Sequence, residues 1–238
     1  MENIVYDDIN KKLENMTFKH LIQPIVNINN FDDILGYEYF SKPHHIESES
    51  FYLIEELLKA INSKSNLDKI DLDMLKSIAN KINLNNNNTN NFINISSENT
   101  LINLEPVLFD NPKSITIELT EQFPINDLEK VKKKISEIKK LDIKIAVDDF
   151  GSGYSNLKLI TEIEPDYVKF DKYFINKISL TDNKHIDCFS KIVEGLKKIG
   201  SHVVCEGVEI PEHILIAKQM NFNYVQGYYI KKPFFINE

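Results

Sequence analysis

Residues 145–157 read IAVDDFGSGYSNL, a stretch in which two adjacent aspartates follow an apolar run. The apolar start is typical of a buried β-strand, so Asp148 and Asp149 come where that strand leaves the core. Unpaired carboxylates in such a position are costly. Consecutive strand side chains face opposite sides, so both aspartates reach one site only if the backbone bends. The Gly-Ser-Gly turn at 151–153 can provide that bend. The stretch therefore predicts a strand that ends in a compensated polar site.

Strand-length apolar segments recur along the chain and alternate with segments of helical spacing, which indicates an α/β protein. The eight predicted strands are HLIQPIVNI (20–28), ILGYEYF (34–40), NFINIS (91–96), SITIEL (114–119), IKIAVD (143–148), DYVKFD (166–171), HVVCEG (202–207) and YVQGYYI (224–230). The turn between the first two is too short for a helical crossover, so they are expected to pair as an antiparallel hairpin. The segment 125–141 has apolar residues three or four apart and is expected to be helical.

Eight strands with intervening helices favour a closed (β/α)8 barrel, similar to a TIM barrel, with an antiparallel first strand. The 238 residues of the chain are close to the about 250 residues of such barrels. An open doubly wound sheet is the alternative, but no glycine-rich phosphate-binding motif follows the first strand. No linker divides the sequence, so residues 1–238 are expected to form a single domain.

Polar side chains lie at or near the carboxyl end of every predicted strand after the first. They are Glu38, Asn94, Glu118, Asp148, Asp149, Lys169, Glu206 and Gln226. Each has an ordinary structural explanation when taken singly, such as a helix cap or an ion pair. The carboxyl ends of barrel strands meet at one mouth, however, where close carboxylates would repel by about 4 kcal/mol per pair. The cluster therefore needs cations.

The ligand types at this mouth favour Mg²⁺ or Mn²⁺ over zinc, because they are carboxylate and amide oxygens without cysteine or histidine. Two such ions that share one carboxylate are an established arrangement for activating water against a phosphodiester.

Composition limits the partners. The formal net charge of −8 argues against polymeric nucleic acid but allows a small anionic ligand if cations intervene. No segment approaches the about 20 apolar residues of a membrane helix, so no membrane contact and a cytoplasmic location are expected.

Eight short segments together resemble one known family in their order and spacing. They are QPIV (23–26), GYE (36–38), INIS (93–96), IELTE (117–121), DDFGSGYSNL (148–157), PDYVKFD (165–171), CEGVE (205–209) and VQGYYIKKPF (225–234). In this respect the chain is similar to the EAL domains, the cyclic di-GMP phosphodiesterases, over nearly its whole length. The resemblance implies hydrolysis of cyclic di-GMP to linear pGpG by a two-metal mechanism, with two Mg²⁺ or Mn²⁺ ions per active site, and it implies a homodimer.

The resemblance also implies a role for each polar residue. The expected ligands of the first ion are Glu38, Asn94, Glu118 and Asp148. The expected ligands of the second are Asp148, Asp149 and Glu206. The expected catalytic residues are Lys169, Glu206, Gln226 and Glu121. The expected substrate contacts are Gln23, Lys42, Asp149 and Gln226. In this scheme Lys169 orients and polarises the attacking water, and Glu121 anchors the loop that begins at Asp149.

One segment departs from the family pattern. Where the family usually has Glu-Ala-Leu followed by leucine and arginine, this chain has Glu38, Tyr39, Phe40, Ser41 and Lys42. Lysine lacks the guanidinium fork, so weaker substrate binding is expected. Tyr39 and Phe40 could crowd the pocket or offer guanine a stacking surface. The alternative to an active enzyme is a weak or inactive EAL-like cyclic di-GMP receptor or protein-interaction module.

Overall fold

The computed structural model describes residues 16–45, 51, 64–85, 89–104, 109–120, 125–152 and 157–236. The strands in these ranges are β1 Met16–Asn27, β2 Asn30–His45, β3 Asn90–Ile95, β4 Ile115–Thr120, β5 Lys144–Phe150, β6 Tyr167–Phe170, β7 His202–Cys205, β8 Tyr224–Val225 and β9 Phe234–Phe235. The helices are α1 Lys64–Asn85, α2 Glu98–Ile102, α3 Leu128–Lys139, α4 Leu157–Ile163, α5 Lys172–Lys177, α6 Asn183–Lys198 and α7 Pro211–Gln219. Among the described residues, no helix has both the length and the apolar composition to cross a membrane.

The strands form one sheet that closes on itself. Their order is β2-β3-β4-β5-β6-β7-β8-β1-β9, and β1 also pairs with β2, which completes an eight-stranded barrel with β9 as a short addition. Strands β2 to β8 run parallel to their neighbours, while β1 is antiparallel to both β2 and β8. The predicted (β/α)8 barrel with an antiparallel first strand is confirmed.

The first two strands form the predicted hairpin but are longer than the sequence indicated. Their pairing extends from Met16 opposite His45 to Asn27 opposite Asn30, and it places Gln23 opposite Glu38. Beyond Tyr39, β2 no longer pairs with β3 and continues along β1. This part of β2 carries Phe40 and Lys42 to the mouth of the barrel.

Apolar residues fill the barrel interior below its mouth and the layer between strands and helices. The inner cluster consists of Ile25, Phe92, Ala146, Tyr167 and Val204. Helix α3 covers part of the outer face with buried apolar side chains, and its first turn is capped by Asp127, which accepts a hydrogen bond from the backbone N–H of Lys130. Leu141 lies beyond the end of this helix and is 46% exposed, so the apolar stripe ends earlier than predicted.

Strand β8 is the clearest difference from the predicted strands. It spans Tyr224–Val225 rather than 224–230, because the chain turns at Gly227 against the backbone of Val208. A Cβ atom at Gly227 would lie 2.2 Å from the Val208 carbonyl oxygen. The chain then pairs with β1 again as β9. This turn adds a rim to the barrel mouth that a continuous strand could not form.

Candidate active site

A cleft of about 970 Å³ opens at the carboxyl ends of the strands. The predicted site residues that line it are Gln23, Glu38, Lys42, Asn94, Asp148, Asp149, Glu206 and Gln226. Glu118 and Lys169 lie beneath them and are fully buried. The structure therefore brings together every predicted site residue except Glu121, which lies outside the described residues.

The glutamates of β2 and β4 are linked by the amide of β3. Asn94 and Glu118 are register partners on adjacent parallel strands, so their side chains point to the same face. The Asn94 Nδ2 group donates hydrogen bonds to Glu38 Oε1 at 3.2 Å and to Glu118 Oε2 at 3.1 Å. This amide bridge fixes the distance between two carboxylates that would otherwise repel each other.

Lys169 extends from β6 into the centre of the cluster, and its side chain is fully buried. Its Nζ atom lies 3.0 Å from Glu38 Oε2, 2.8 Å from Glu118 Oε1, 3.0 Å from Asp148 Oδ1 and 2.8 Å from Glu206 Oε1. Burial by itself lowers the pKa of Lys169, but the four carboxylates outweigh burial and raise its pKa well above the usual value. The lysine is therefore held as a cation.

The end of β5 is bulged, and this bulge explains the paired aspartates. The register of β5 against β6 shifts between Val147 and Phe150, and Asp149 has a left-handed backbone with φ 55°. A bulge lets neighbouring side chains point in similar directions. A left-handed bend thus lies at Asp149 itself, and a second lies at Gly151, the first residue of the predicted turn, with φ 88°. Aspartate is among the residues that tolerate this conformation.

The surroundings of three carboxylates in the cluster disfavour their ionised form and raise their pKa values. Burial raises the pKa of Glu118 and of Glu206 well above their usual range, with the neighbouring carboxylates adding to the effect. Burial, then Asp148 and Asp171, raises the pKa of Asp149 to about 6. If ionised, the five carboxylates and one ammonium of the cluster leave four uncompensated negative charges. Because Glu38, Glu118 and Asp148 are buried, water can stabilise only part of that charge.

The residues present fit a pair of divalent cations. Glu38, Glu118 and Asp148 each offer an oxygen within 4.8 Å of the others, and so do Asp148, Asp149 and Glu206. Asp148 belongs to both groups. An all-oxygen set of this kind suits Mg²⁺ or Mn²⁺, and two divalent ions would neutralise the four excess charges. Asn94 could join the first group through Oδ1 if its amide turned by about 180°.

Two glutamines are fixed at the side of the cluster. Gln226 Nε2 donates to Glu38 Oε2 at 2.7 Å and to Gln23 Oε1 at 3.2 Å, and Gln23 Nε2 donates to the Lys231 carbonyl at 2.8 Å. The buried Oε1 of Gln226 has no hydrogen-bond partner within the described part of the chain. It is available to accept a hydrogen bond from a ligand or a water molecule.

The divergent segment of β2 divides between two faces of the strand. Phe40 and Lys42 line the cleft with Glu38, because alternate strand residues share a face. Tyr39 points to the other face, where it belongs to the hydrophobic core and its burial raises its pKa to about 12. Of the two aromatic residues that the sequence offered as pocket residues, only Phe40 can contact a ligand.

The cleft also contains residues to which no role was assigned from the sequence. They are Leu21, Asp171, Lys172, Gly207, Glu209, Gly227, Tyr228, Lys232 and Pro233. Seven of these residues stand within motifs that carried the resemblance, so the motifs themselves were the available signal: Asp171, Gly207, Glu209, Gly227, Tyr228, Lys232 and Pro233. Lys172 is the first residue of α5. The positions of Tyr228 and Lys232 depend on the turn after β8, which periodicity does not predict.

Comparison with known proteins identifies the family. A family profile described as "EAL domain" matches residues 6–233. The protein named "Probable cyclic di-GMP phosphodiesterase PdeG" from Escherichia coli (strain K12) is 30% identical over 122 residues, which cover 50% of this chain and 24% of that protein. This chain thus spans about a quarter of that relative's length.

Solved structures show the same architecture. An EAL domain protein from Listeria monocytogenes EGD-e is 25% identical, with a TM-score of 0.74 and coverage of 98% of this chain and 93% of that chain. The manganese and cy-diGMP complex of Klebsiella pneumoniae BlrP1 at pH 9.0 is 22% identical, with a TM-score of 0.76. The match covers 92% of this chain and 56% of that chain. Since the family profile covers nearly the whole sequence, the chain belongs to the EAL domain family.

Proposed function

We propose that this protein is a metal-dependent phosphodiesterase that hydrolyses cyclic di-GMP to linear pGpG. The observation that carries the proposal is that two sets of three acidic residues, each close enough to hold one metal ion, share Asp148 in the cleft. The name of PdeG and the ligands in the BlrP1 structure support the same substrate and a divalent metal.

Two Mg²⁺ or Mn²⁺ ions, when bound, would supply Lewis acidity toward the phosphoryl oxygens and would lower the pKa of water at neutral pH. Glu38, Asn94, Glu118 and Asp148 would hold the first ion. Asp148, Asp149 and Glu206 would hold the second. Asp148 would then serve both ions, and its loss should affect the whole site.

The remaining polar residues would orient the reactants. Lys169 would donate hydrogen bonds to the attacking water and thereby orient and polarise it. The unpaired Oε1 of Gln226 would accept a hydrogen bond from that water or from the substrate, because its Nε2 group is already held by Glu38 and Gln23. In the reaction, the water oxygen bonds to phosphorus and one P–O ester bond breaks. One proton of the water ends on the departing sugar oxygen, which becomes a hydroxyl, and the other stays on the new phosphate group or passes to solvent, which leaves a linear dinucleotide.

The rim of the cleft suits an anionic dinucleotide. Its volume of about 970 Å³ lies at the upper end of the range for ligand sites. Lys42, Lys172 and Lys232 would face the phosphates, and Phe40 and Tyr228 offer aromatic surfaces to the bases. Lys42 would contact a phosphate as a point charge rather than through a bidentate fork. Asp149 and Gln23 would complete the substrate contacts.

Three further features belong to the proposal. Residues 1–238 would act as one domain, the protein would be a cytoplasmic homodimer, and Glu121 would anchor the loop that begins at Asp149. Sedimentation of the purified chain with and without Mn²⁺ tests the dimer.

The activity is tested by incubating the purified protein with cyclic di-GMP and Mg²⁺ or Mn²⁺ and separating the products by chromatography. We expect pGpG from the wild type, none in excess EDTA, and none from Asp148→Ala or Glu38→Ala. Glu194→Ala, an exposed position on α6, is the matched carboxylate control and should keep wild-type turnover. Binding of cyclic di-GMP without turnover by the wild type would instead identify a receptor.

A further inference from the structure

The carboxylates of the cluster are already occupied by nitrogen donors. All four carboxylate oxygens of Glu38 and Glu118 lie within 3.2 Å of a side-chain nitrogen of Asn94, Lys169 or Gln226. The same ammonium of Lys169 also contacts Asp148 Oδ1 and Glu206 Oε1. It therefore touches oxygens of both candidate metal groups at once.

A divalent cation needs these same oxygen atoms. Mg²⁺ binds carboxylate oxygens at about 2.0–2.1 Å, which is shorter than any of the distances to Lys169. A cation bound at that distance would lie close to the ammonium, and two cations so close in a buried site repel strongly. The arrangement with Lys169 at the centre and the arrangement with two metals are therefore alternatives.

The charge of the cluster indicates why the lysine takes this position. Glu118 and Lys169 are both fully buried. Without metals, the ammonium of Lys169 is the only cation among the described residues that contacts the carboxylates of the cluster. A buried carboxylate without a partner would be severely destabilising.

We propose that Lys169 is the internal counter-ion of the metal-free cluster and that metal binding displaces its ammonium from these carboxylates. The lysine would then become free to contact water only after the metals have bound. This inference rests on the proposed function, because it assumes that the carboxylate groups hold metals. With both ions bound, the ammonium of Lys169 would face the reacting water instead of the carboxylates that hold it in the metal-free protein.

The inference is tested with Lys169→Met, which keeps the length of the side chain and removes its charge. In EDTA, we expect its melting temperature to fall by roughly 10 °C, because four carboxylates, three of them buried, lose their cation. In Mn²⁺ titrations followed by electron paramagnetic resonance, we expect at least tenfold tighter binding than in the wild type, because the competing charge is gone.

Lys172→Met is the matched control, since it removes the same charge from the rim of the same cleft. Its Mn²⁺ affinity should change by less than about threefold, because an exposed charge is screened. An affinity of Lys169→Met that is equal to or weaker than that of the wild type would overturn the inference, as would an unchanged melting temperature in EDTA.

A measurement on the wild type covers the case in which Lys169→Met does not fold. With lysine labelled at the ε-nitrogen, the buried ammonium should give one NMR signal protected from solvent exchange in metal-free protein. We expect that signal to shift or vanish when Mg²⁺ saturates the site. A protected signal that stays unchanged at saturation overturns the inference. Lack of turnover alongside normal metal exchange would contradict only the proposed function, whereas absence of metal binding in both proteins would overturn the metal site and this inference together.

Discussion

Asp149 offers a prediction in which charge and backbone effects can be separated. In the metal-free protein, burial and the charges of Asp148 and Asp171 raise its pKa from the usual 3.8 to about 6. The folded protein therefore holds this proton more tightly than the unfolded chain does. The contribution of Asp149 to the stability of the folded protein falls as the pH rises from about 4 to about 6 and then stays constant. At about 1.4 kcal/mol per pKa unit, the penalty above pH 6 is at most about 3 kcal/mol, and solvent screening of this half-buried group lowers it below that limit.

The substitution Asp149→Asn should remove this penalty. Asparagine has nearly the same shape and also tolerates the left-handed backbone at φ 55°. In urea denaturation with excess EDTA, we expect the variant to exceed the wild type by up to about 3 kcal/mol at pH 8 and by almost nothing at pH 4. A gain of the same size at both pH values would refute the electrostatic reasoning, as would no gain at pH 8.

Asp149→Ala is the matched control for the backbone. It removes the same charge, but alanine in the left-handed region costs about 1–2 kcal/mol. We therefore expect its gain at pH 8 to be smaller than that of Asp149→Asn by that amount. Equal gains for the two variants would show that the bulge at this position places no demand on the residue type.

Three further predictions address the divergent segment, the glycine turn and a buried histidine. Lys42→Arg should lower the KM for cyclic di-GMP by roughly three- to tenfold in steady-state kinetics, because it restores a bidentate phosphate contact. Gly151→Ala should lower the free energy of unfolding by about 2–3 kcal/mol, because the new Cβ would lie 2.2 Å from the Phe174 ring at a residue with φ 88°. Gly195→Ala, where nothing lies within 4 Å, should instead be neutral or stabilising. Burial, followed by the charge of a nearby lysine, lowers the pKa of His20 to about 4. The contribution of His20 to stability should therefore fall by about 3 kcal/mol between pH 6.5 and 4, and His20→Gln should lack that part of the pH dependence in urea denaturation.

Each of these has a clear opposing result. An unchanged or higher KM in Lys42→Arg would contradict the account of the phosphate contact. Equal unfolding free energies for the two alanine variants would show that the ring of Phe174 moves aside freely. If the unfolding free energy of His20→Gln depends on pH in the same way as that of the wild type, folding does not lower the pKa of His20.

Much of the fold follows from local patterns in the sequence. The parallel strands β3 to β7 lie close to their predicted positions because each is a short apolar run bounded by polar or turn residues. The structure places Glu38, Phe40 and Lys42 on the face of β2 that lines the cleft and Tyr39 on the other, so the expectation that Tyr39 also reaches the pocket was wrong, because alternate strand residues face opposite sides. The shortening of β8 could not be read in the same way. Its residues have strand-like spacing, and only the close approach of Gly227 to Val208 ends it.

The sequence indicated which residues would gather at the site but not which side chains would contact each other there. The positions of the carboxylates follow from the rule that parallel strands of a barrel end at one mouth. The central place of Lys169, in contact with four carboxylates, depends on tilt and side-chain length across the whole barrel, which one sequence does not specify. The bulge at Asp149 is similar, because a left-handed aspartate leaves no distinct pattern in the sequence. The sequence therefore predicts the residue types of the site, but it does not predict the contacts between side chains from distant strands.

The central claim is that one shared carboxylate joins two metal positions. It is tested most directly by counting bound Mn²⁺ per chain by electron paramagnetic resonance at saturating metal. We expect two ions in the wild type, one in Glu206→Gln and none in Asp148→Ala, because Asp148 belongs to both groups. Two ions in Asp148→Ala, or none in the wild type, would contradict it.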